Sequence, residues 1–449
     1  MKRLVRESLA DTFSARAGQA ELVGLEVENG LVDPVTGCSV PYGGDHGALA
    51  LLDAMVREMN GEPLLDGAYA VGVQLPNGAR FTLETGGALE YSSMPSAGLA
   101  LAAGSARVDL LRAAAIADQI GIALLSGASL PFTPENQIPW LPKPRVEIMR
   151  RYFRRLGISG EHADAVMGLT LSTQVSLDYV SAEDFLEKAR LHVLASPLVA
   201  ALSVNSPIAN GELCGVLSRR MQYWQKFDPR RCGVLGFALD DNVSPTDFVD
   251  WAAGQPMIYR DVAGTHVAAP DRSFAALTRD GFGDGTWPTL DDWELHLCQL
   301  WPHVRPRHTL ELRAADGLSW PDYSAVPAMW VGLTYDPATR KDASALLAEL
   351  TATQLGRSVD DIATKGLAAS IGPHIVADLA HELLRLARRG LESLVAASAE
   401  PAAILSFLEP LEQVDEDGET FADRMVTSWQ GELRQSPEAY VRRYRIPVG

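Results

Sequence analysis

Glutamates recur at alternate positions in short segments that have the composition of β-strands. In the segment GLEVE at 24–28, Glu26 and Glu28 alternate with the apolar residues Leu25 and Val27. Residues i and i+2 of a strand face the same side, so both glutamates are expected on one face and both apolar residues on the core face. The alternation predicts a pair of carboxylates that point away from the core.

Three further glutamates belong to the same pattern. Glu84 and Glu90 flank a Gly86-Gly87 turn, so a hairpin would bring both to one end of a sheet, and Glu311 shares a strand face with Arg313. Glutamate is a poor strand former, and like charges on one face repel each other unless a cation lies among them. Magnesium accepts carboxylate oxygens and keeps substrate phosphates as its other ligands. Five strand glutamates with arginines nearby therefore predict a magnesium–nucleotide site.

Polar and basic residues suggest where the organic substrates bind. The segment 172–178 places Gln174 and Ser176 on one face of a strand, and Arg220 and Trp224 lie four residues apart on one face of a helix or loop. Arginine holds a carboxylate through a planar fork of donors, which suits an amino-acid substrate. Arg220 and Arg231 are better candidates for this than their neighbours in LSRR (217–220) and DPRR (228–231).

An ordinary structural explanation competes with the functional one for each strand. Antiparallel strands that are exposed on one side normally alternate polar and apolar residues, and such a face need only be solvated. For any single strand this explanation is at least as good as a site. The recurrence of glutamate over several strands is what favours chemistry.

The elements that would position these residues fall into two parts. The first half alternates predicted strands (22–28, 71–75, 80–84, 88–92, 122–130, 169–179) with predicted helices (46–60, 98–121, 144–155, 182–202). From about 326 onward nearly every segment has helical spacing of alanine and leucine. We therefore expect an α/β catalytic body at 1–325, with an antiparallel sheet, and a helical C-terminal part at 326–449 packed on the same unit.

Composition excludes several classes of protein. The chain has 449 residues, of which 47% are hydrophobic, with 39 basic and 57 acidic residues and a net charge of -18. This acidic balance disfavours nucleic acid or an anionic membrane as a partner. No run of about 18 apolar residues suggests a membrane helix, and a cytoplasmic location is expected. Four cysteines without CxxC spacing indicate neither a zinc ribbon nor a disulfide framework.

Familiar catalytic motifs are absent from the sequence. It contains no GxxxxGK[ST] loop and no GxGxxG segment after a strand, so a P-loop or Rossmann nucleotide site is not supported. It also lacks a GxSxG elbow and an HExxH helix. The histidines do not cluster at ligand spacing, and His296 is expected on a helix in a structural hydrogen bond.

Taken in order, the motifs resemble the glutamate–cysteine ligases of the plant and proteobacterial type, a family that includes the γ-glutamylcysteine synthetase of ergothioneine biosynthesis. Each motif is weak alone, but the ordered set is specific and covers nearly the whole chain. The motifs are GLEVE (24–28), LETGGALE (83–90), PKPR (142–145), MRRY (149–152), TQVSLD (173–178), NSP (205–207), LSRR (217–220), DPRR (228–231), PMIY (256–259), DWELHL (292–297), VRPR (304–307), LELRAAD (310–316), PAMWVGL (327–333) and WQGE (429–432).

The resemblance implies an α+β fold related to glutamine synthetase, in which a curved antiparallel sheet forms a funnel surrounded by helices. It also implies a reaction in which ATP phosphorylates the γ-carboxylate of glutamate and an amine displaces the phosphate, in the presence of Mg²⁺. The partners would be small molecules, namely ATP, glutamate and an amine such as cysteine, and the protein would be a monomer or homodimer.

The site residues follow from the same resemblance. The implied metal ligands are Glu26, Glu28, Glu84, Glu90 and Glu311. The implied catalytic residues are Glu26, Glu84, Glu311 and Arg313. The implied substrate-binding residues are Arg150, Tyr152, Gln174, Ser176, Arg220, Trp224 and Arg231.

Three positions depart from the family pattern. Thr85 stands where proline is usual, Ser176 where asparagine is usual, and Ile208 where phenylalanine is usual. The cysteines of the regulatory hairpin disulfide in plant enzymes have no counterpart between Tyr259 and Pro288, so control by that thiol switch is not expected. Cys214 and Cys232 are read as free thiols.

These observations support three hypotheses. The first is a ligase that joins glutamate to cysteine. The second keeps the chemistry but uses another amine in a specialised pathway, motivated by Ser176 and Ile208. The third is a homologue that binds amino acid or nucleotide without turnover, against which the retained glutamates and arginines argue.

Overall fold

An antiparallel sheet of nine strands lies at the centre of the computed structural model, which describes residues 3–14 and 20–448. Its strands are β1 (Val23–Val32), β2 (Glu62–Asp66), β3 (Tyr69–Gln74), β4 (Arg80–Leu83), β5 (Leu89–Ser92), β6 (Ala123–Leu125), β7 (Thr173–Leu177), β14 (Val304–Pro306) and β15 (Leu310–Leu312). Short two-stranded pairs are formed by β8 (Ile208–Ala209) with β9 (Glu212–Leu213), β10 (Cys232–Gly233) with β13 (Trp301–Pro302), β11 (Tyr259–Val262) with β12 (Thr265–Ala268), and β16 (Ser370–Ile371) with β17 (His374–Ile375).

The order of the central sheet is β14-β15-β7-β1-β5-β4-β3-β2, and β6 pairs with the far end of β1. Each neighbouring pair is antiparallel. The expectation of an α+β fold with an antiparallel sheet is confirmed.

The register aligns the polar residues of different strands in rows across the sheet. Because paired residues face the same side, each row presents its side chains together. One row contains Arg80, Ser92, Glu26 and Gln174, a second contains Thr82, Glu90 and Glu28, and a third contains Gly24, Ser176, Glu311 and Arg305.

The opposite face of the sheet is the core face. Leu25 and Val27 are 1% and 4% exposed, as the alternation predicted. Helices α2, α3, α6 and α11 pack against this side of the strands. The helices are α1 (Arg6–Ala10), α2 (Ala48–Glu58), α3 (Leu99–Gln119), α4 (Pro144–Arg154), α5 (Ala163–Leu169), α6 (Ala182–Leu202), α7 (Arg219–Gln225), α8 (Pro245–Gly254), α9 (Phe274–Asp280), α10 (Leu290–Leu297), α11 (Ala325–Thr334), α12 (Pro337–Leu346), α13 (Ala352–Lys365), α14 (Val376–Ala396), α15 (Leu405–Asp417), α16 (Phe421–Gln430) and α17 (Pro437–Tyr444).

The residues at the N-termini of α6 and α4 explain where these two helices begin. Ser181 caps α6 by accepting a hydrogen bond from the backbone N–H of Asp184 at 3.0 Å, which satisfies one of the free donors of the first turn. Pro144 occupies the first turn of α4, where its missing N–H costs nothing. Both helices begin at the residues that the sequence analysis predicted.

Two predicted strands are shorter in the structure than in the sequence pattern. Within 122–130 only Ala123–Leu125 form a strand, and within 169–179 only Thr173–Leu177 do so. Gly127 has a φ of 141° and interrupts the first ladder. The two segments still contact each other through an isolated bridge between Ser129 and Thr170.

Residues after 325 are mainly helical, apart from the β16–β17 pair. Helix α11 packs on α14 and also against β7 of the central sheet. One continuous apolar core contains both Leu25 of β1 and Trp330 of α11. The division of the chain at 325/326 stays a prediction.

Candidate active site

A cavity of about 500 Å³ lies on the polar face of the sheet. The sheet forms its floor, and its walls come from α4, α5, α7 and three aromatic residues, namely Phe227, Tyr259 and Trp301. A volume of this size is typical of a pocket for a small molecule.

Four of the five predicted metal ligands line this cavity: Glu26, Glu28, Glu84 and Glu90. Glu28 is held most firmly, because its Oε2 accepts from the backbone N–H of Ser172 at 2.5 Å and from the Ser172 hydroxyl at 3.0 Å, and its Oε1 accepts from Gln174 Nε2 at 3.3 Å. These three hydrogen bonds fix the orientation of the Glu28 carboxylate on the cavity floor.

The Gly86-Gly87 turn positions Glu84 and Glu90. A Cβ on Gly86 would lie 2.3 Å from the Cα of Gly168 in α5, and Gly87 has a φ of 88°. Both positions therefore require glycine, the first for close approach of two backbones and the second for its conformation. The turn brings the β4–β5 hairpin into direct contact with α5 at Gly168.

Burial and mutual repulsion disfavour the charged form of these carboxylates. Burial, and then the charge of Glu311, raise the pKa of Glu26 to about 7. Burial, and then the charge of Glu84, raise the pKa of Glu28 to about 7. Burial, and then the charges of Glu26, Glu84, Glu28 and Glu311, raise the pKa of Glu90 well above its usual value. A cation bound among these carboxylates would offset their mutual repulsion and favour their charged form.

Magnesium fits this donor set. In the described part of the chain, no group of three or more His, Cys, Asp or Glu residues is arranged to hold a metal ion by itself. Magnesium usually takes one or two carboxylates and completes its octahedron with water and substrate phosphates. The strand carboxylates thus suit an ion that arrives together with a nucleotide.

A group of arginines lines the β14–β15 end of the cavity. Arg305 binds Glu311 through two parallel hydrogen bonds, Nε to Oε2 at 2.9 Å and a terminal nitrogen to Oε1 at 2.7 Å. Arg313 contacts the same carboxylate and also Gln174. Burial alone would raise the pKa of Glu311, but Arg305 and Arg313 lower it to about 2.

Glu311 itself is 2% exposed and does not line the cavity. Both of its oxygens are occupied by arginines. In this arrangement it orients Arg305 and Arg313, and the structure gives no support to the prediction that it also binds metal.

Arg220 extends from α7 into the same side of the cavity. Its terminal nitrogens donate to the backbone oxygens of Arg313 at 2.9 Å and Ala314 at 3.2 Å, and one lies 3.6 Å from Asp316. It is only 4% exposed, and its Nε is buried without a hydrogen-bond partner among the described residues. Trp224, one helical turn later, also lines the cavity, and its role in binding substrate stays a prediction.

Three predicted substrate-binding residues are used elsewhere. Arg150 pairs with Asp164 through two hydrogen bonds of 3.0 and 2.9 Å. Arg231 is fully buried, where it binds Asp228 at 3.0 Å and the Tyr152 hydroxyl at 2.9 Å. Their donors are satisfied within the protein, so Arg150, Tyr152 and Arg231 support the wall of the site and do not line it.

Two of the positions that depart from the family pattern also lie outside the cavity lining. Ser176 sits between Gly24 and Glu311 in the third row of the sheet. Ile208 is buried in a separate apolar cluster with Trp429. Thr85 does line the cavity, and its hydroxyl donates to the Met167 carbonyl. The predicted substrate contact of Ser176 is therefore not supported by its position.

Among the cavity residues that sequence reasoning missed are four arginines and a tyrosine: Arg80, Arg145, Arg305, Arg307 and Tyr259. Arg80 lies four residues before Glu84, and Arg305 lies two residues before Arg307. In an extended segment such positions face the same side, so the two-residue period could have revealed Arg80, Arg305 and Arg307. Arg145 and Tyr259 lie at the beginnings of α4 and β11, where no such period applies.

The family model described as "Glutamate-cysteine ligase family 2(GCS2)" matches residues 22–439. The chain belongs to the glutamate–cysteine ligase family. It is 29% identical over 388 residues to the chloroplastic glutamate–cysteine ligase of Nicotiana tabacum, covering 86% of this chain and 72% of that protein. It is 30% identical over 389 residues to the chloroplastic ligase B of Oryza sativa subsp. japonica, covering 85% and 76%.

A solved structure shows the same fold. The glutamate–cysteine ligase of Francisella tularensis in complex with AMP superimposes with a TM-score of 0.52 at 14% identity, covering 96% of this chain and 89% of that one. The family identifies the chain as a ligase, and its chemistry supports the use of ATP.

Other sequence expectations concern location and cysteines. No helix among the described residues is long and apolar enough to cross a membrane, and the expected cytoplasmic location stays a prediction. All four cysteines fall in the described ranges and none forms a disulfide. This agrees with the interpretation of Cys214 and Cys232 as free thiols.

Proposed function

We propose that this family member joins glutamate to an amine in two steps. In the first, an oxygen of the glutamate γ-carboxylate attacks the γ-phosphorus of ATP, forming γ-glutamyl phosphate and releasing ADP. In the second, the amine nitrogen attacks the acyl carbon, phosphate leaves, the nitrogen loses a proton, and a γ-glutamyl amide forms. The observation that carries this proposal is a single cavity that is lined both by four glutamate carboxylates and by arginines.

The carboxylate side would hold the nucleotide phosphates through metal. Glu26, Glu28, Glu84 and Glu90 are the residues that would hold magnesium there. Magnesium, when bound, supplies positive charge that offsets the repulsion between the polyphosphate and the incoming carboxylate. Because these oxygen ligands are held by the sheet, the ion that arrives with the nucleotide would be fixed in place, which reduces the reorganisation needed during reaction.

The arginine side would hold the anionic ends of the amino acids. Arg220 and Arg313 line this side, and Arg220 keeps a buried donor, Nε, without a protein partner. Planar guanidinium groups bind carboxylates through paired hydrogen bonds, which also fixes the direction of the bound molecule. A glutamate held by its α-carboxylate would direct its γ-carboxylate toward the metal-holding residues.

Cysteine is the acceptor that we favour. The curated relatives matching 85–86% of the chain are named glutamate–cysteine ligases, which supports this choice. The other hypothesis, a different amine, was motivated by Ser176 and Ile208, and neither residue lines the cavity. No observation in the structure therefore favours the alternative amine over cysteine.

The decisive experiment measures ADP formation from ATP, Mg²⁺ and glutamate, with and without cysteine, followed by mass spectrometry of the products. We expect ADP to depend on both amino acids and γ-glutamylcysteine to appear. If other amines stimulate ADP formation and cysteine does not, one of those amines is the acceptor in place of cysteine. The absence of ADP with every amine would overturn the proposal.

Variants test the site itself. We expect Glu84→Gln and Glu311→Gln to abolish ADP release, the first because it removes a cavity carboxylate and the second because it releases Arg305 and Arg313. Glu161→Gln, at an exposed position, is the matched control and should retain full turnover. Normal turnover of both glutamate variants would show that the site is elsewhere.

A further inference from the structure

Three motifs of the sequence meet at one buried carboxylate. They are NSP (205–207), LSRR (217–220) and LELRAAD (310–316), and the carboxylate is that of Asp316, the last residue of the third motif. Asp316 has an exposure of 0% and does not line the catalytic cavity. A buried charge is costly unless its oxygens are hydrogen-bonded and paired. The partners of Asp316 therefore indicate why a carboxylate is placed here.

Both oxygens of Asp316 accept hydrogen bonds from the other two motifs. Oδ2 accepts from the backbone N–H of Asn205 and from the Ser206 hydroxyl, each at 2.9 Å. Oδ1 accepts from the Ser218 hydroxyl, also at 2.9 Å. All three donor residues are themselves buried. Hydrogen bonds donated to a carboxylate favour its charged form, so this arrangement suits an ionised Asp316.

The same two serines hold the first turn of α7. The Ser218 oxygen accepts from the backbone N–H of Met221 at 3.0 Å, and the Ser206 oxygen accepts from the backbone N–H of Arg220 at 3.1 Å. Each hydroxyl thus donates to Asp316 and accepts from α7. Because Asp316 sets the direction of both hydroxyls, it also fixes the backbone from which the Arg220 side chain extends.

The guanidinium of Arg220 ends beside the same carboxylate. Its Nη1 lies 3.6 Å from Asp316 Oδ1. The terminal nitrogens donate to the backbone oxygens of Arg313 and Ala314, which lie three and two residues before Asp316. The protein therefore holds Arg220 at its terminal nitrogens, while Nε has no hydrogen-bond partner among the described residues.

The distance between Asp316 and Arg220 distinguishes them from the arginine pairs in the wall of the site. Asp164 binds Arg150 through two hydrogen bonds of 3.0 and 2.9 Å, which occupy the planar fork of donors. Asp316 lies beyond hydrogen-bond distance of Arg220, and its oxygens are taken by other donors. It attracts the guanidinium without competing with a substrate carboxylate for the fork.

We propose that Asp316 is a positioning residue for substrate binding. It sets the direction of the Arg220 guanidinium, and Arg220 in turn binds a carboxylate of glutamate. The inference rests on the proposed function, which assigns Arg220 to the anionic end of an amino acid. Since metal and nucleotide phosphates are assigned to the strand glutamates, the loss of Asp316 should weaken the binding of glutamate and leave that of the nucleotide unchanged.

The test is a calorimetric titration of the full chain with glutamate in the presence of Mg²⁺ and ADP, and a separate titration with ADP and Mg²⁺ alone. Asp316→Asn keeps the shape of the side chain and removes its charge. Asp109→Asn is the matched control, because Asp109 is also buried, accepts a hydrogen bond from Asn77 at 2.9 Å, and lies on α3 outside the cavity.

We expect Asp316→Asn to weaken glutamate binding about tenfold to a hundredfold, the range that corresponds to lost hydrogen bonds to a charged group. ADP should bind this variant within about twofold of wild type, as expected for an independent site. Asp109→Asn should bind both ligands as wild type does. Equal glutamate affinity in wild type and Asp316→Asn would overturn the inference. Equal weakening of glutamate and ADP would also overturn it, since that result indicates a general disturbance of the fold.

Steady-state kinetics separate positioning from a structural role. Positioning raises the KM for glutamate in Asp316→Asn, whereas a loss of folded enzyme lowers the apparent kcat and leaves KM unchanged. If Asp316→Asn does not fold, Ser206→Ala takes its place, because it removes one hydrogen bond to Asp316 and should raise the KM for glutamate about threefold to tenfold. An unchanged KM in the folded variant would overturn the inference.

A double-mutant cycle tests whether Asp316 acts through Arg220. In an Arg220→Lys background the planar fork is gone, so Asp316→Asn should weaken glutamate binding less than it does in wild type. An undiminished effect would show that Asp316 acts by another route.

The two proposals fail in different ways. Wild-type protein that binds glutamate but forms no ADP with any amine would remove the proposed function, and weaker glutamate binding by Asp316→Asn would still support the positioning role. Wild-type protein that forms ADP, with glutamate binding unaffected by Asp316→Asn, would remove the positioning role alone. Wild-type protein that does not bind glutamate would remove both.

Discussion

The stability of the metal-free protein should depend on pH through Glu28. The carboxyl pKa is 4.5 without burial and about 7 in the folded protein. Below pH 4.5 the group is protonated in both states and does not affect the folding equilibrium. Between pH 4.5 and 7 the folded state keeps a proton that the unfolded state has lost, so stability falls as pH rises.

The size of the effect follows from the two pKa values. A difference between 4.5 and about 7 corresponds to about 3 kcal/mol of unfolding free energy, since each pKa unit is about 1.4 kcal/mol. Glutamine has nearly the same shape and no charge. Glu28→Gln should therefore match wild type at pH 4.5 and exceed its stability by about 3 kcal/mol at pH 8.

The assay is chemical denaturation at several pH values in the presence of EDTA, with Glu161→Gln as the exposed control. Adding Mg²⁺ should then stabilise the wild type more at pH 8 than at pH 5, because metal and protons compete for the same oxygens. If wild type and Glu28→Gln lose stability in parallel from pH 4.5 to 8, burial of this carboxylate is not the cause and the reasoning is wrong.

Two further perturbations test other parts of the site. Arg305→Met should lower the unfolding free energy, measured by urea titration, by about 3–5 kcal/mol, because it leaves the buried Glu311 carboxylate without its bidentate partner. Arg307→Met is the control. It should change the unfolding free energy by less than about 0.5 kcal/mol in the same titration, as expected for a position outside such a pair. Burial raises the pKa of the Cys232 thiol well above its usual value, so native protein treated with iodoacetamide at pH 8 should remain unmodified at Cys232 by peptide mass spectrometry. Cys298, which lines the cavity, should be alkylated under the same conditions. Mg²⁺-ADP together with glutamate should protect Cys298 from alkylation. Alkylation of Cys232 before Cys298 would contradict the burial assigned to Cys232.

Strand residues were the predictable part of this site. The two-residue period placed Glu26, Glu28 and Gln174 on one face, and the structure brings all three to the cavity floor. The period works because a strand offers only two faces, one of which must be apolar to pack on the core. Glu311 was placed on the correct strand face together with Arg313, but its bidentate pairing with Arg305 depends on the neighbouring strand, which the pattern of one segment does not contain.

Helical residues were less predictable. In α4 the side chains that reach the cavity are Arg145 and Met149, four residues apart on one face. Arg150 and Tyr152 were predicted instead, and they point to other sides of the same helix, toward Asp164 and Arg231. A helix has a continuous range of faces, so a motif alone does not tell which of its polar residues meets the site.

Rows of side chains across the sheet have a consequence for biosynthesis. The row of Arg80, Ser92, Glu26 and Gln174 is continued by Arg313, which lies next to the last residue of β15 and contacts Gln174. A ribosome therefore completes the glutamates of β1 and β5 more than two hundred residues before it adds Arg305, Arg307 and Arg313. Truncated chains that end before 304 would keep only Arg80, Arg145 and Arg220 as basic residues of this cavity, and half of its arginines are supplied only when synthesis reaches β14 and β15.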